Sequence, residues 1–150
     1  QHSYIGYNYR MSNISAGIGR GQMEVLDERV NKRRDNFQFY REALGDIREI
    51  AFLEEPGKNY FSNHWLTTFV IDSENKNSIG LREYLGQYNI ETRPLWKPMH
   101  LQPVFKDTPA YTDGTSEDLF NRGICLPSSS NLSDEEREFI VEKIRDYFEG

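Results

Sequence analysis

The sequence predicts an α+β fold, in which a small sheet is covered by one long helix and two shorter helices. Three observations predict it: a long run of apolar residues at helical spacing near the start, short β-rich segments in the middle, and an amphipathic segment at the end. The chain has 150 residues, of which 37% are hydrophobic, so it can bury one ordinary core. We therefore expect a single domain over residues 1–150.

The long helix is predicted over residues 14–44, where apolar residues recur at helical spacing, and Gly45 follows as a helix stop. Its first turns hold four small residues, Ala16, Gly17, Gly19 and Gly21. A glycine inside a helix costs about 1 kcal/mol relative to alanine, so this run needs a reason. We expect another backbone to approach the helix closely there, and an irregular N-terminal half is the alternative.

The middle of the chain predicts strands. Residues 65–71 are rich in β-branched and aromatic types and predict a central strand buried on both faces. Further strands are predicted at 90–95, where Pro94 interrupts the segment, and at 124–126. A short apolar segment at 47–53 ends in a turn signal.

The remaining elements are predicted to be helices and loops. Helical spacing over 78–88 predicts a short helix, and another is expected to end at Arg122. Residues 98–118 are rich in proline and predict mostly loop. Ser133 and Glu136 form a capping-box pattern that opens a final amphipathic helix.

Two polar side chains near the start of the chain suit an anion. Asn8 and Arg10 are donors of the kind that hold a phosphate or carboxylate, and they lie just before a predicted helix N-terminus. The alternative is an ordinary helix start, with Ser12 or Asn13 as N-cap and the neighbouring tyrosines packed in the core.

A second group of candidate residues follows the strand at 90–95. Arg93 ends that strand, the prolines after it fix the path of the chain, and Trp96 offers an aromatic face. His100 lies in the same segment. The alternative is that Arg93 pairs with a surface acid and that Trp96 belongs to the core.

The overall composition argues against several classes of function. A formal net charge of -6 argues against a nucleic-acid or membrane-surface footprint. The apolar runs are shorter than the ~20 residues that span a bilayer, and no segment has a signal-peptide pattern. The basic cluster at 29–34 alternates with acids and predicts a solvated helix face. The three histidines, His2, His64 and His100, are too scattered to predict a metal site.

The lone cysteine, Cys125, excludes an internal disulfide and suits a reducing cytoplasm. It lies in a predicted buried strand, where an inert core residue is expected rather than a nucleophile. His64, just before the central strand, is expected to be structural.

Three segments carry a family resemblance: GYNYRMSNISAGIGRGQMEVLDERVNKRR, ETRPLWKPMHLQPVF and RGICLPSSSNLS. Together they resemble the C-terminal part of DegT-type sugar aminotransferases, which are fold type I pyridoxal-phosphate enzymes. The match is closest to the group that makes UDP-4-amino-4,6-dideoxy-N-acetylglucosamine on the bacillosamine pathway. The resemblance implies a mostly antiparallel sheet and a cytoplasmic homodimer.

The resemblance also implies roles for the candidate residues. Asn8 would reach the phosphate of pyridoxal phosphate in the neighbouring subunit, and Arg10 would bind beside it. Arg93, Trp96 and His100 would bind the substrates. In the full enzyme an amine would pass from glutamate to C4 of a UDP-linked 4-keto-6-deoxy sugar for bacterial glycan biosynthesis.

The chain begins inside the region of resemblance, and none of its lysines lies in a segment like the family's Schiff-base motif. We therefore expect a C-terminal domain that is inactive alone, with the cofactor bound mainly by an absent large domain. Two alternatives stay open. Some relatives are sugar dehydratases with histidine in place of the lysine, and a family member could serve only regulation or dimer assembly.

Overall fold

The computed structural model describes Tyr4 and residues 6–150, and its elements follow in chain order. The helices are α1 (Asn13–Glu24), α2 (Leu26–Leu44), α3 (Ser78–Gly86), α4 (Thr115–Arg122) and α5 (Asp134–Glu149). The strands are β1 (Ile50–Phe52), β2 (Thr67–Ile71), β3 (Arg93–Pro94) and β4 (Gly123–Leu126). Two short 3-10 helices, Met99–Leu101 and Pro103–Phe105, lie in the proline-rich segment.

The sheet has four strands in the order β1-β2-β4-β3, and every neighbouring pair is antiparallel. This confirms the predicted α+β class and the antiparallel sheet. The strand predicted at 65–71 is central, and Phe69 pairs with Ile124 of β4. The apolar segment at 47–53 contributes β1 as a fourth strand. The strand predicted at 90–95 is only two residues long, because Pro94 has no N–H to extend the ladder.

The predicted long helix is interrupted at Val25, where φ is -115° and ψ is 8°. Val25 is β-branched, a type that is stiff at χ1 and slightly disfavoured in helices. The part before the break, α1, buries none of its residues, whereas α2 buries residues from Asn36 onward. The helix ends at Gly45, as predicted.

The core lies where α2, α3 and α5 pack on one side of the sheet. Each of these elements contributes two or more fully or almost fully buried side chains: Tyr40, Leu44, Phe69, Ile71, Leu81, Leu85, Ile124, Leu126, Ile140 and Ile144. The N-terminus of α5 carries the predicted capping box. Ser133 Oγ accepts from the N–H of Glu136, and the Glu136 carboxylate accepts from the N–H of Ser133.

Candidate functional site

The segment that precedes α1 is exposed. Asn8 Oδ1 accepts a hydrogen bond from the backbone N–H of Arg10 at 3.0 Å. Ser12 is the N-cap of α1, and its hydroxyl accepts from the N–H of Ser15 at 3.1 Å. The alternative of an ordinary helix start, with Ser12 as the N-cap, is thus confirmed. It is wrong for the tyrosines, because Tyr7 and Tyr9 are 80% and 89% exposed and do not pack in the core.

Arg10 is exposed and pairs with no carboxylate within the described part of the chain. A residue with an amide and a residue with a guanidinium are therefore exposed in the segment that leads to the N-terminus of α1, the helix end whose dipole favours an anion. No other backbone approaches the glycines of α1 within residues 6–150: a Cβ built on Gly17, Gly19 or Gly21 would meet no atom within 4 Å.

A cleft of about 830 Å³ lies beside β3 and β4. Its lining includes Glu91, Arg93, Trp96, Ser128 and Phe139. The side chain of Arg93 is 74% exposed and donates from Nε to Oε1 of Glu91 at 2.8 Å. Arg93 thus both pairs with a surface acid, as the alternative stated, and presents its side chain to the cleft.

Trp96 is 61% exposed, so its predicted alternative as a core residue is wrong. Its indole stacks on that of Trp65, with ring centroids 5.5 Å apart and an interplanar angle of 29°. Both rings line a second cleft, of about 660 Å³, together with Phe61 and Leu119, whereas only Trp96 lines the first. Trp96 therefore stands between the two clefts and presents apolar surface to each.

His100 lies apart from Arg93 and Trp96 in a shallow pocket of about 340 Å³ formed by residues 99–112. Its Nε2 is 2.7 Å from Oε1 of Glu117, and its side chain is 18% exposed. The carboxylate of Glu117 holds the ring against α4.

Of the five predicted site residues, the structure brings Arg93 and Trp96 into one cleft. His100 lines a different pocket, while Asn8 and Arg10 line neither that pocket nor either of the two clefts. Within this single chain the predicted residues therefore form three separate groups.

The basic residues of α2 have a role that the sequence did not predict. Arg29, Arg33 and Arg34 are half-buried and contact distant segments, so their interpretation as a solvated face is wrong. Only Lys32 fits that interpretation, in an exposed pair with Glu28 at 3.0 Å. Arg29 and Arg33 lie one turn apart on the same helix face, which is the signal that could have indicated their contacts.

A cluster of charged and aromatic groups joins α2 to the loop before β2. Glu55 accepts from Arg34 Nη1 and from the N–H of Ser62, each at 2.9 Å. These two donors hold the pKa of the Glu55 carboxyl below its usual range. His64 stacks on Phe37, and burial, aided by the charge of Arg34, lowers the pKa of its imidazole. His64 was expected to be structural, and its stack on Phe37 agrees with that expectation.

Cys125 is buried, and burial raises the pKa of its thiol, as expected for an inert core residue. Among the described residues, His, Cys, Asp and Glu form no group of three that could hold a metal ion, and His2 lies outside those residues. None of the described helices is both long and apolar enough to cross a membrane.

The sequence and fold match known proteins over nearly the whole chain. EpsN of Bacillus subtilis (strain 168), whose name assigns it provisionally to the pyridoxal phosphate-dependent aminotransferases, is 47% identical over 99% of this chain. GDP-perosamine synthase of Escherichia coli O157:H7 is 33% identical over 98% of it. The chain spans 39% of the length of each of these relatives.

A solved structure has the same fold. The aminotransferase TlmJ from Streptoalloteichus hindustanus superposes with a TM-score of 0.89 and 19% identity, over 99% of this chain and 40% of that one. The model of the DegT/DnrJ/EryC1/StrS aminotransferase family matches residues 1–145, which carry all the elements described above except the end of α5. The chain belongs to the DegT/DnrJ/EryC1/StrS aminotransferase family.

Proposed function

We propose that this chain is the C-terminal domain of a pyridoxal-phosphate-dependent aminotransferase that acts on sugar nucleotides. The observation that carries the proposal is the family match over residues 1–145, in a chain that spans 39% of its curated relatives. A larger domain would supply the Schiff-base lysine and most of the cofactor site. The chain alone would then be inactive.

The segment before α1 fits the phosphate of the cofactor. Asn8 and Arg10 are exposed shortly before a helix N-terminus, and Arg10 forms no ion pair with a carboxylate of the described residues. An amide donates a hydrogen bond without adding a charge, and a guanidinium neutralises part of the charge of the phosphate. The family resemblance supports the further proposal that this anion belongs to a neighbouring subunit of a homodimer.

The cofactor, when bound, supplies an electron sink for amine transfer. The residues of this chain would act on the substrates. Arg93 can bind the diphosphate of a sugar nucleotide or a carboxylate of glutamate by exchanging its exposed partner Glu91 for the substrate anion. Trp96 offers an apolar face beside it. His100, held by Glu117, would border the substrate farther along the segment.

The substrate is proposed to be a UDP-linked 4-keto-6-deoxy sugar, aminated at C4 with glutamate as donor, in the cytoplasm, for bacterial glycan biosynthesis. The perosamine synthases among the relatives carry GDP in their name, so the nucleotide is the part of the proposal that needs its own test. The negative charge of the chain gives no reason to add a nucleic-acid or membrane partner.

The test is to supply the complete polypeptide with pyridoxal phosphate, glutamate and a UDP-linked 4-keto-6-deoxy sugar, and to weigh the product. We expect replacement of the C4 oxygen by an amine. A GDP-linked ketosugar serves as the comparison for the nucleotide. A product that has lost a hydroxyl without gaining nitrogen would identify a dehydratase. Cofactor binding without turnover of any ketosugar nucleotide would favour a regulatory or dimer-assembly role.

A further inference from the structure

Arg33 of α2 connects two segments that form the walls of the proposed substrate site. Its Nη1 donates to the backbone carbonyl of Ser128 at 3.2 Å and also to the backbone carbonyl of Trp65. Ser128 lines the cleft that contains Arg93, and Trp65 stacks on Trp96. One guanidinium nitrogen therefore bridges the loop after β4 and the loop before β2.

The loop after β4 is tied down further by its own hydroxyl. Ser128 is 4% exposed, and its Oγ accepts from the N–H of Thr67 and donates to the carbonyl of Leu126, both at 2.8 Å. These bonds use the hydroxyl and leave the carbonyl to Arg33. Because an unpaired carbonyl at a buried residue is costly, removing the guanidinium would let this loop move to find another donor.

The Trp65 end is less constrained. The indoles of Trp65 and Trp96 are both more than half exposed, so the surrounding protein holds them weakly. The backbone N–H of Trp65 donates to Asn63 Oδ1 at 3.1 Å, which is a contact within the same loop. The bond from Arg33 to the Trp65 carbonyl joins that loop to α2, which belongs to the core.

A second basic residue of α2 makes different contacts. Arg29, one turn earlier, donates to Asn131 Oδ1 at 2.8 Å and to Ser130 Oγ at 3.3 Å. It thus holds the outer end of the same loop, and among the described residues it forms no hydrogen bond with Trp65. No carboxylate among the residues described pairs with Arg33, so its guanidinium is committed to the two carbonyls.

We infer that Arg33 is a positioning residue for the substrate, which sets the geometry of the Trp65–Trp96 pair and of the Arg93 cleft without touching the substrate itself. This inference rests on the proposed function. It predicts that the loss of Arg33 impairs recognition of the sugar nucleotide while cofactor binding and the chemical step are kept, because Asn8 and Arg10 lie in a separate segment.

The experiment uses the complete enzyme with Arg33→Ala, Arg33→Lys and the matched control Arg29→Ala. Stacked indoles couple their ultraviolet transitions, so the pair should give a two-signed band in circular dichroism that Trp65→Phe or Trp96→Phe abolishes. In Arg33→Ala we expect this band to fall to less than about half, and the KM for the sugar nucleotide to rise about tenfold. The kcat and cofactor occupancy should stay within about twofold of the wild type.

Arg33→Lys should restore most of the band and of the KM, since both bonds come from one nitrogen that an ammonium can replace. Arg29→Ala should change neither. An Arg33→Ala enzyme with the normal band and KM would overturn the inference. An equal loss of cofactor and of folding in Arg33→Ala and in Arg29→Ala would also overturn it, because Arg33 would then have only a structural role. If the wild type aminates no ketosugar nucleotide, the proposed function fails. The circular dichroism band still tests the positioning of the indole pair: a weakened band in Arg33→Ala supports it, and an unchanged band overturns it.

Discussion

The imidazole of His64 lies face to face with the ring of Phe37, with centroids 3.8 Å apart and planes 15° apart. His64 has a positive φ of 42°, which is uncommon for a residue other than glycine, so the surrounding contacts hold it there. The groups that face it are Arg34 from α2 and the carboxylates of Glu54 and Glu55 from the loop. The stack joins that loop to the core side of α2.

Replacing His64 should change how stability depends on pH. Burial and Arg34 lower the pKa of His64 below 6.5, so the unfolded chain binds a proton more readily than the folded chain. Above about pH 6.5 the neutral imidazole therefore costs the folded wild type no stability. As the pH falls toward the folded pKa, the free energy of unfolding of the wild type decreases, because the unfolded chain takes up the proton first. His64→Gln lacks the titrating imidazole, so its free energy of unfolding does not decrease for this reason. At pH 7.5 the variant should be less stable by about 1 kcal/mol through loss of the ring stack, and the difference should narrow by pH 5.5.

Chemical unfolding of both proteins at the two pH values measures this difference. Glu55 has a pKa lowered from 4.5 and titrates outside this window. A difference that grows as the pH falls would mean that Glu54 and Glu55 raise the pKa of His64, contrary to the prediction.

The 150-residue chain should form no covalent adduct with pyridoxal phosphate at a specific lysine. Three of the lysines have polar partners: Lys143 pairs with Glu142 and Asp146, which raise its pKa, Lys76 donates to the carbonyl of Tyr147, and Lys32 pairs with Glu28. A lysine needs a desolvated pocket to be a free amine near neutral pH. Borohydride reduction with the cofactor, followed by intact mass, tests this, and one stoichiometric adduct at a single site would refute it.

The glycines of α1 should matter for assembly and not for the fold of the domain. Gly17 faces open space, so Gly17→Leu should not lower the unfolding midpoint of the 150-residue chain. In the complete enzyme, the same change should weaken the dimer, because a packed interface has no room for the added side chain. Sedimentation measures the dimer, with Gly17→Ala as the smaller control. An intact dimer with full activity would require another explanation for the glycines.

Asn8→Ala in the complete enzyme should weaken retention of the cofactor while sugar-nucleotide recognition stays nearly normal. Loss of a hydrogen bond to a charged group costs about 1.5–3 kcal/mol, which is roughly tenfold to a hundredfold in affinity. Cofactor absorbance after dialysis gives the retained fraction. Full retention would remove the phosphate role from Asn8.

Arg93→Ala should raise the KM for one substrate, either the sugar nucleotide or glutamate, with cofactor binding unchanged. A lost contact that is equally strong in the ground state and the transition state appears in KM alone. The matched control is Arg41→Ala, which removes another exposed guanidinium that pairs with a carboxylate, that of Glu54 at 3.0 Å. If both KM values stay normal, Arg93 is only a surface ion-pair partner of Glu91.

Local signals predicted the elements that depend on neighbouring residues. The capping box at Ser133, the end of α2 at Gly45 and the central strand β2 all follow from short patterns, and the structure has each of them. The strand β1 was not predicted as such. It is three residues long, and its pairing with β2 depends on a loop between them that periodicity does not describe.

The contacts of the candidate site were less accessible to prediction because they join distant parts of the chain. Periodicity places Arg33 on a helix face, but nothing in the local pattern indicates that the face meets the carbonyls of Ser128 and Trp65. The stack of Trp65 on Trp96 likewise depends on strand order. The break at Val25 was missed because its apolar spacing continues the stripe of the helix.

The break at Val25 also separates two kinds of mutational constraint. No side chain before it is buried in the described domain, whereas α2 supplies part of the core. A library of variants selected only for folding of this chain would accept most changes in α1 and reject many in α2. The same library selected for growth that requires the complete enzyme should reject changes in both. Positions in α1 that differ between the two selections would map the assembly surface without any structure of the assembly.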